Sequence, residues 1–493
     1  MANFFIAVGG TGQNVALAYY RLTKLCGYEP AKIYVMDSDT SVSGQQTSFI
    51  HLEPIPIEPC ITKGQRNSFR ALFNLSDDAN INAMLSVLFT SKELKTPIDY
   101  GMFGRPSVGS ATIMDKIVLI NNDNTPEGEC RFSDGKFANL LATLQTPGNH
   151  NVVICGSAKG GTGAGGVPML AQYLSSIVDK KNVKIITLYF LRHFNILLPE
   201  DSLKYDEIKN EQLKLNAESG MCYMADEINR GVDACVLFGL REPIDVPYTE
   251  AQKQSEIKTF LYILAGIIAN NTFYTDLGNL FPPNPDRIYA YWIPNDAGSK
   301  TSNLMVSDIK VYLPNGQSVD LDYIPKIAGA TIDFLEIFSK YINPLPKYSF
   351  IPSLIVPKKL RQAIYAIKGD QMDIGVVLKA IDDDIKRYKT EIENNLEWFK
   401  TLLKTESTLA ATKTLSTVLS PNNKEELINI TGENYEKTKK QPMGFTRNWV
   451  KRTSWNNINE PQDFVKPLVI GLKKSINITF LNKAFGDEME YIC

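Results

Sequence analysis

A chain of 493 residues is longer than one compact domain usually holds, so two or three domains are expected. With 52 Lys and Arg against 54 Asp and Glu, the formal charge of −2 excludes a globally basic nucleic-acid coat and a polybasic membrane binder. The His residues (His51, His150, His193) show no metal-ligand spacing and the Cys residues include no C-x-x-C pair, so neither a zinc ribbon nor a disulfide framework is supported.

The opening MANFFIAVGG lacks the charged start and long apolar stretch of a signal peptide. The best apolar run, 260–269, falls short of the roughly 20 residues a bilayer-spanning helix needs. A soluble cytoplasmic protein without membrane insertion is expected.

Taken in chain order, residues 4–8 form an apolar strand candidate that ends in glycines and leads into helical spacing over 15–25. Residues 32–36 predict a second strand, followed by Asp37-Ser38-Asp39, and 116–120 reads as a third, with an antiparallel or loop role also open. The clearest strand, 151–155, runs into another glycine-rich turn and then a helix over 167–178. Strands at 184–190 and 234–238 complete the series, with a helix over 212–230 between them. Strands alternating with helices imply a parallel sheet covered on both faces, whose ligands sit at the carboxyl ends of the strands.

Residues 251–269 read as one long helix, apolar nearly all round at its end and so buried between layers. The stretch 281–294, with its four prolines, reads as loop. Strand patterns at 309–313, 318–321 and 353–356 suggest a second, mixed sheet, and 373–404 a charged amphipathic helix. The expected architecture is α/β: a Rossmann-like parallel-sheet domain over 1–250, a long helix over 251–272, and a second α+β domain over 273–493.

The most informative segment is Gly156-Ser157-Ala158-Lys159-Gly160-Gly161-Thr162-Gly163-Ala164-Gly165-Gly166, between a strand and a helix. Glycines there let the backbone approach a ligand closely and adopt positive φ, and successive N–H groups at a helix start form an anion site. Thr162 adds a hydroxyl donor. A dinucleotide fingerprint fails because no acid closes the strand at 187–190. A Walker loop fails because Ala164-Gly165 stands where Lys and Ser/Thr are required.

The stretch from Gly160 to Ala171 instead resembles the GGGTGTG loop and following helix of the tubulin/FtsZ superfamily, Pro168 included; Lys159 replaces the first glycine and Ala164 the second threonine. Other segments match in the family's order. Gly9-Gly10-Thr11-Gly12-Gln13-Asn14 resembles the first nucleotide loop, Asp37-Ser38-Asp39 the Asn-Thr-Asp after the second strand, and the loop from Gly104 through Arg105 to Gly109 the segment facing the γ-phosphate. The resemblance covers roughly residues 1–270.

It implies GTP/GDP and Mg2+ as ligands. Gly9, Gly10, Thr11, Gly12, Gln13, Asn14, Gly104, Gly160, Gly161, Thr162, Gly163, Ala164 and Gly165 would cradle phosphates, Arg105 would pair with one directly, and Asp39 would support the metal. Tyr248 would stack on the base and Gln252 hydrogen-bond its edge, which leaves guanine and adenine both open. The resemblance further implies a head-to-tail filament of this chain with itself, in which one subunit's acidic loop completes the next subunit's site. Here that loop reads Asn270-Asn271-Thr272-Phe273-Tyr274-Thr275-Asp276, with threonines where acids are expected. Asp276 is the catalytic candidate, Asp286 a more remote one. The alternative is a hydrolysis-deficient nucleotide-binding scaffold or switch acting through an adaptor protein. The locally basic segment 437–452, with Trp449 and Trp455, leaves contact with nucleic acid or an acidic partner open, although a solvated loop is the commoner outcome.

Overall fold

The computed structural model describes residues 2–26, 28–37, 49–51, 87–94, 104–111, 113, 136–191, 193–197, 210–240, 243–247, 259–281, 283–293, 309–342 apart from 315, 317 and 322, 362, 364–365 and 374–403. In chain order the elements begin β1 (Ala2–Val8), α1 (Gly9–Cys26), β2 (Lys32–Met36), β3 (Ile50–His51), α2 (Ser91–Leu94), α3 (Lys136–Leu144), β4 (His150–Ser157), α4 (Gly161–Ile177) and β5 (Val183–Phe190). They continue with β6 (Phe194–Leu197), α5 (Asn210–Arg230), β7 (Ala234–Leu240), β8 (Ile244–Pro247), α6 (Phe260–Tyr274), α7 (Leu277–Leu280) and β9 (Ile288–Ile293). Last come β10 (Lys310–Tyr312), β11 (Ser318–Asp320), α8 (Tyr323–Ile342) and α9 (Ile374–Leu403). The chain divides into two compact units, Met1–Tyr20 with Pro30–Asn303, and Arg21–Glu29 with Leu304–Cys493.

The first unit is an α/β structure on a seven-stranded sheet of order β3-β2-β1-β4-β5-β7-β9. Every pairing in it is parallel. Alternation along the strands sorts side chains to two faces. Phe4, Ile6 and Val8 of β1 join Val152 and Ile154 of β4 under Phe137 and Leu140 of α3, Val167 and Leu170 of α4, and Met224 of α5. On the other face Phe5 stacks on Tyr19 of α1, and Tyr19 meets Phe273 of α6 edge-on. Because both faces are covered, the strands are apolar throughout rather than alternating.

Helix α6 is buried from Phe260 to Phe273, as its all-round apolar sequence requires. A Cβ at Gly266 would lie 3.0 Å from the backbone nitrogen of Tyr19, so glycine there lets α6 approach α1 closely. The helix begins at Phe260, after an extended Thr259 whose hydroxyl accepts from Leu261 N, and not at Ala251. The proline-rich stretch read as loop contains a strand. Arg287, at φ 52, turns the chain into β9, which pairs with β7 and stacks Tyr291 on Phe238. The sheet thus extends beyond residue 273, where the sequence reading began its second domain.

In the second unit β10 and β11 form an antiparallel hairpin. The expected apolar stripe of α9 is realised: Val377, Leu378, Ile381, Ile385, Ile392 and Phe399 are buried, and the helix packs along α8. The strands predicted at 116–120 and 353–356, and the basic segment 437–452, lie outside the described residues. Among the described residues no helix is long and apolar enough to cross a membrane, and Cys26, Cys155, Cys222 and Cys235 form no disulfide with one another.

Candidate functional site

The strand order reverses direction between β1 and β4. From β1 the chain passes through α1 to β2 on one side, and from β4 through α4 to β5 on the other. Two right-handed crossovers leaving neighbouring strands in opposite directions occupy opposite faces, which opens a crevice at the carboxyl ends of β1 and β4. Both glycine-rich segments lie there.

The first enters α1 without an intervening loop. Gly9, at φ +72, is the residue that makes the turn, a conformation costly for any side chain. Thr11, Gln13 and Asn14 in the following turns are buried. A Cβ on Gly9 would stand 3.2 Å from Gly163 N and 3.3 Å from the Thr162 Cβ, so the starts of α1 and α4 touch.

The second segment differs from its sequence reading. It is the first two turns of α4: Gly161, Thr162, Gly163, Ala164, Gly165 and Gly166 are helical and buried, and none of these glycines has positive φ. They are needed for packing. A Cβ on Gly163 would stand 2.7 Å from Ser157 N and O, on Gly165 2.2 Å from Pro106 O, and on Gly166 2.3 Å from the Ile113 Cδ1. Gly160, by contrast, is open, with nothing within 4 Å of a Cβ. It is the N-cap of α4 and supplies no side-chain cap, while Ala164 N makes the first backbone bond, to Gly160 O. Helix geometry leaves the N–H groups of Gly161, Thr162 and Gly163 without intrahelical acceptors at the positive end of the dipole. The chemistry offered is that of an anion site.

Around it stand three side chains to which the sequence reading gave no role in the site. Asp37, at the end of β2, is buried; it accepts from Gln13 Nε2 at 2.8 Å and from the Thr162 hydroxyl at 3.4 Å. Its motif was noted, but the role went to Asp39, which lies outside the described residues. Tyr262 of α6 is buried with its hydroxyl against Asn14 and Thr11 in no hydrogen bond of ordinary geometry, and burial raises its pKa above the usual range. Lys159, in place of the family's first glycine, is buried and turned away towards β6, where its ammonium donates to Phe194 O at 2.5 Å.

The segment from Gly104 closes on α4 from the other side. Gly104 has φ +69 and its carbonyl accepts from Asn216 of α5; the Ser110 hydroxyl donates to Gly165 O. Arg105 is half-buried, and its charge acts on Glu93. Burial would raise the Glu93 carboxyl, but hydrogen bonds from Ser107 and Thr90 together with Arg105 hold it below its ordinary value. Tyr248 and Gln252 lie outside the described residues. Asp276 is exposed and far from the cradle, paired with Lys184 near the amino end of β5. Asp286 is also exposed, just ahead of β9. Among the described residues no three His, Cys, Asp or Glu side chains group to hold a metal.

No family model matches the sequence, and no curated protein matches it. Among solved structures the chain is similar to the GTPγS-bound protofilament of CetZ2 from Haloferax volcanii, at 15% identity and a TM-score of 0.30, over 57% of this chain and 62% of that one. The chain therefore spans less than two thirds of that protein's length, and so low a score carries no weight for function.

Proposed function

We propose that this chain binds a guanine nucleotide at the β1–β4 crevice and assembles head to tail into a cytoplasmic filament that hydrolyses GTP between subunits, as its tubulin/FtsZ-like motifs imply. The observation that carries the reading is the meeting of two glycine-rich helix starts at the point where the strand order reverses, with α4 left uncapped by any side chain. Such a place suits phosphate oxygens: the N–H groups of Gly161, Thr162 and Gly163 face them, and the start of α1 adds a second set of donors. Gly160 leaves room for close approach.

A Mg2+ ion carried with the nucleotide neutralises charge on the phosphates. Asp37 is a hard oxygen donor of the kind Mg2+ takes, so the residues present fit it. Asp276, at the far edge of the sheet, serves the site of the next subunit by orienting water there. An adaptor protein is the further partner in the cell.

One observation favours the second reading, a nucleotide-binding scaffold with little hydrolysis. Thr272 stands where an acid is expected, and its hydroxyl is turned inward to Ile268 O. Nucleotide turnover measured against protein concentration, with sedimentation alongside, separates the two. Specific activity rising steeply with concentration, with pelleting only in GTP, supports the first. Nucleotide recovered intact at every concentration leaves the scaffold.

A further inference from the structure

We infer that the second unit holds an oxyanion-binding site of its own, in which Arg21, stacked on Trp398, and Asn395 take a carboxylate or phosphate group of a ligand. All three residues belong to that unit, so this is a different site from the crevice of the first.

The guanidinium carbon of Arg21, near the end of α1, lies 4.6 Å from the centre of the Trp398 ring of α9. Burial pulls the Arg21 pKa down to about 10, so the group stays a cation at neutral pH, and no carboxylate acts on it in the other direction. Its Nε is buried and makes no hydrogen bond. The acids that neighbour the pair on the same segments are engaged by other cations, Glu29 with Lys24 at 3.9 Å and Glu397 with Lys400 at 3.8 Å. The indole face offsets part of the cost of burying the charge, but it satisfies no N–H group.

Asn395 is a second, independent sign of the same site. It is 6% exposed, and its Nδ2 likewise has no hydrogen-bond partner. It lies three residues before Trp398, one turn back on the same face of α9, and helical side chains lean over the turn that precedes them. The indole thus brings the guanidinium and the carboxamide to one place. Stacking occupies only the face of a guanidinium and leaves its N–H groups pointing outward in the plane, where two oxygens of a carboxylate or phosphate take them. Every unused atom here is a donor and one group is charged, so the complement is an anion with several acceptor oxygens. Donors left unpaired in the interior destabilise the free protein, and a ligand that pairs them removes that cost.

The test is a calorimetric titration of the full-length protein with inorganic phosphate and, separately, with acetate, against sodium chloride at equal ionic strength. The wild type should bind at least one of the two anions and not chloride, and the one bound more tightly names the group that the site takes. Arg21→Met keeps the stem and removes the fork; it should weaken that binding on the order of 10- to 100-fold, the worth of a hydrogen bond to a charged group. Arg21→Lys keeps the charge without the planar fork, and should also bind more weakly than the wild type if the methionine variant does not fold. Gly160→Val, altered at the start of α4, controls for anion held in the crevice. Heat that persists in it and is lost with Arg21 supports the inference. No binding of either anion by the wild type overturns it, as does undiminished binding in the Arg21 variants. Binding that disappears in Gly160→Val belongs to the crevice and overturns it as well.

Discussion

Asp276 meets Lys184 across 3.5 Å at the edge of the sheet where β5 begins, whereas the glycine-rich cradle sits at the edge where the strands end. Eight residues of β5 separate the two edges by roughly 20 Å. No rotation of a side chain closes that gap, so Asp276 cannot act on a nucleotide held by its own subunit. Head-to-tail stacking would bring one subunit's Asp276 to the next subunit's crevice.

Asp276→Ala should therefore leave nucleotide affinity intact and slow turnover. Both partners of its ion pair are exposed, so stability should change by less than about 1 kcal/mol. Mixing it with Gly160→Val, whose Cβ meets nothing in the fold but whose branches crowd the approach to the cradle, should restore part of the turnover, provided the valine variant still docks. Steady-state hydrolysis of the separate and mixed proteins checks this, and unchanged turnover in Asp276→Ala alone removes the residue from the mechanism.

The glycines of the cradle should separate into two kinds. Gly165→Ala drives a methyl into Pro106 O and Ser110 N, and should destabilise the first unit by about 1–3 kcal/mol as overpacking does. Gly160→Ser meets nothing, and its φ of −76 and ψ of 158 suit a serine cap. That cap should stabilise α4 by a few tenths of a kcal/mol, up to about 1. It should weaken nucleotide binding, because the new hydroxyl takes a helix N–H the phosphate needs. Urea denaturation read beside nucleotide titration tells the two apart.

Thr162→Ala should cost about 1 kcal/mol of nucleotide affinity, the net worth of one hydrogen bond. Its effect on folding should be small, because its bond to Asp37 is long. Titration by the calorimetric method above is the check; an affinity like the wild type's would remove the hydroxyl from the site.

His193 gives the fold a pH dependence of definite sign. It is fully buried among the rings of Phe190, Phe194 and Tyr262. Burial lowers its pKa from 6.5 to about 3, against an opposing hydrogen bond to Leu191 O and with a smaller contribution from the charge of Lys159. The unfolded chain takes up the proton more readily, so this stability is fully present above pH 6.5 and is lost as the pH falls towards 3. The slope reaches at most about 1.4 kcal/mol per pH unit. His193→Phe preserves the ring packing and should flatten that loss. Denaturation of both proteins across this window, taken as a difference, removes the contribution of the carboxylates they share.

The alternation of strands and helices, the burial of α6, the stripe of α9 and the positions of the two glycine-rich segments were legible in the sequence, because each is written in hydrophobic period or local composition. It did not show β9, although Ile288-Tyr289-Ala290-Tyr291-Trp292-Ile293 is strand-like, because the neighbouring prolines dominate any local reading. Nor could it say what the glycines are for. Gly163, Gly165 and Gly166 are set by backbones and side chains packed from Ser157, Pro106 and Ile113, whereas Gly160 is open. The choice between Asp37 and Asp39 lay equally beyond it. Asp37 reaches Gln13 across 24 positions and Thr162 across 125. Strand order alone brings residues so distant in the chain together, since β1 stands between β2 and β4 and carries the carboxyl ends of all three to one edge.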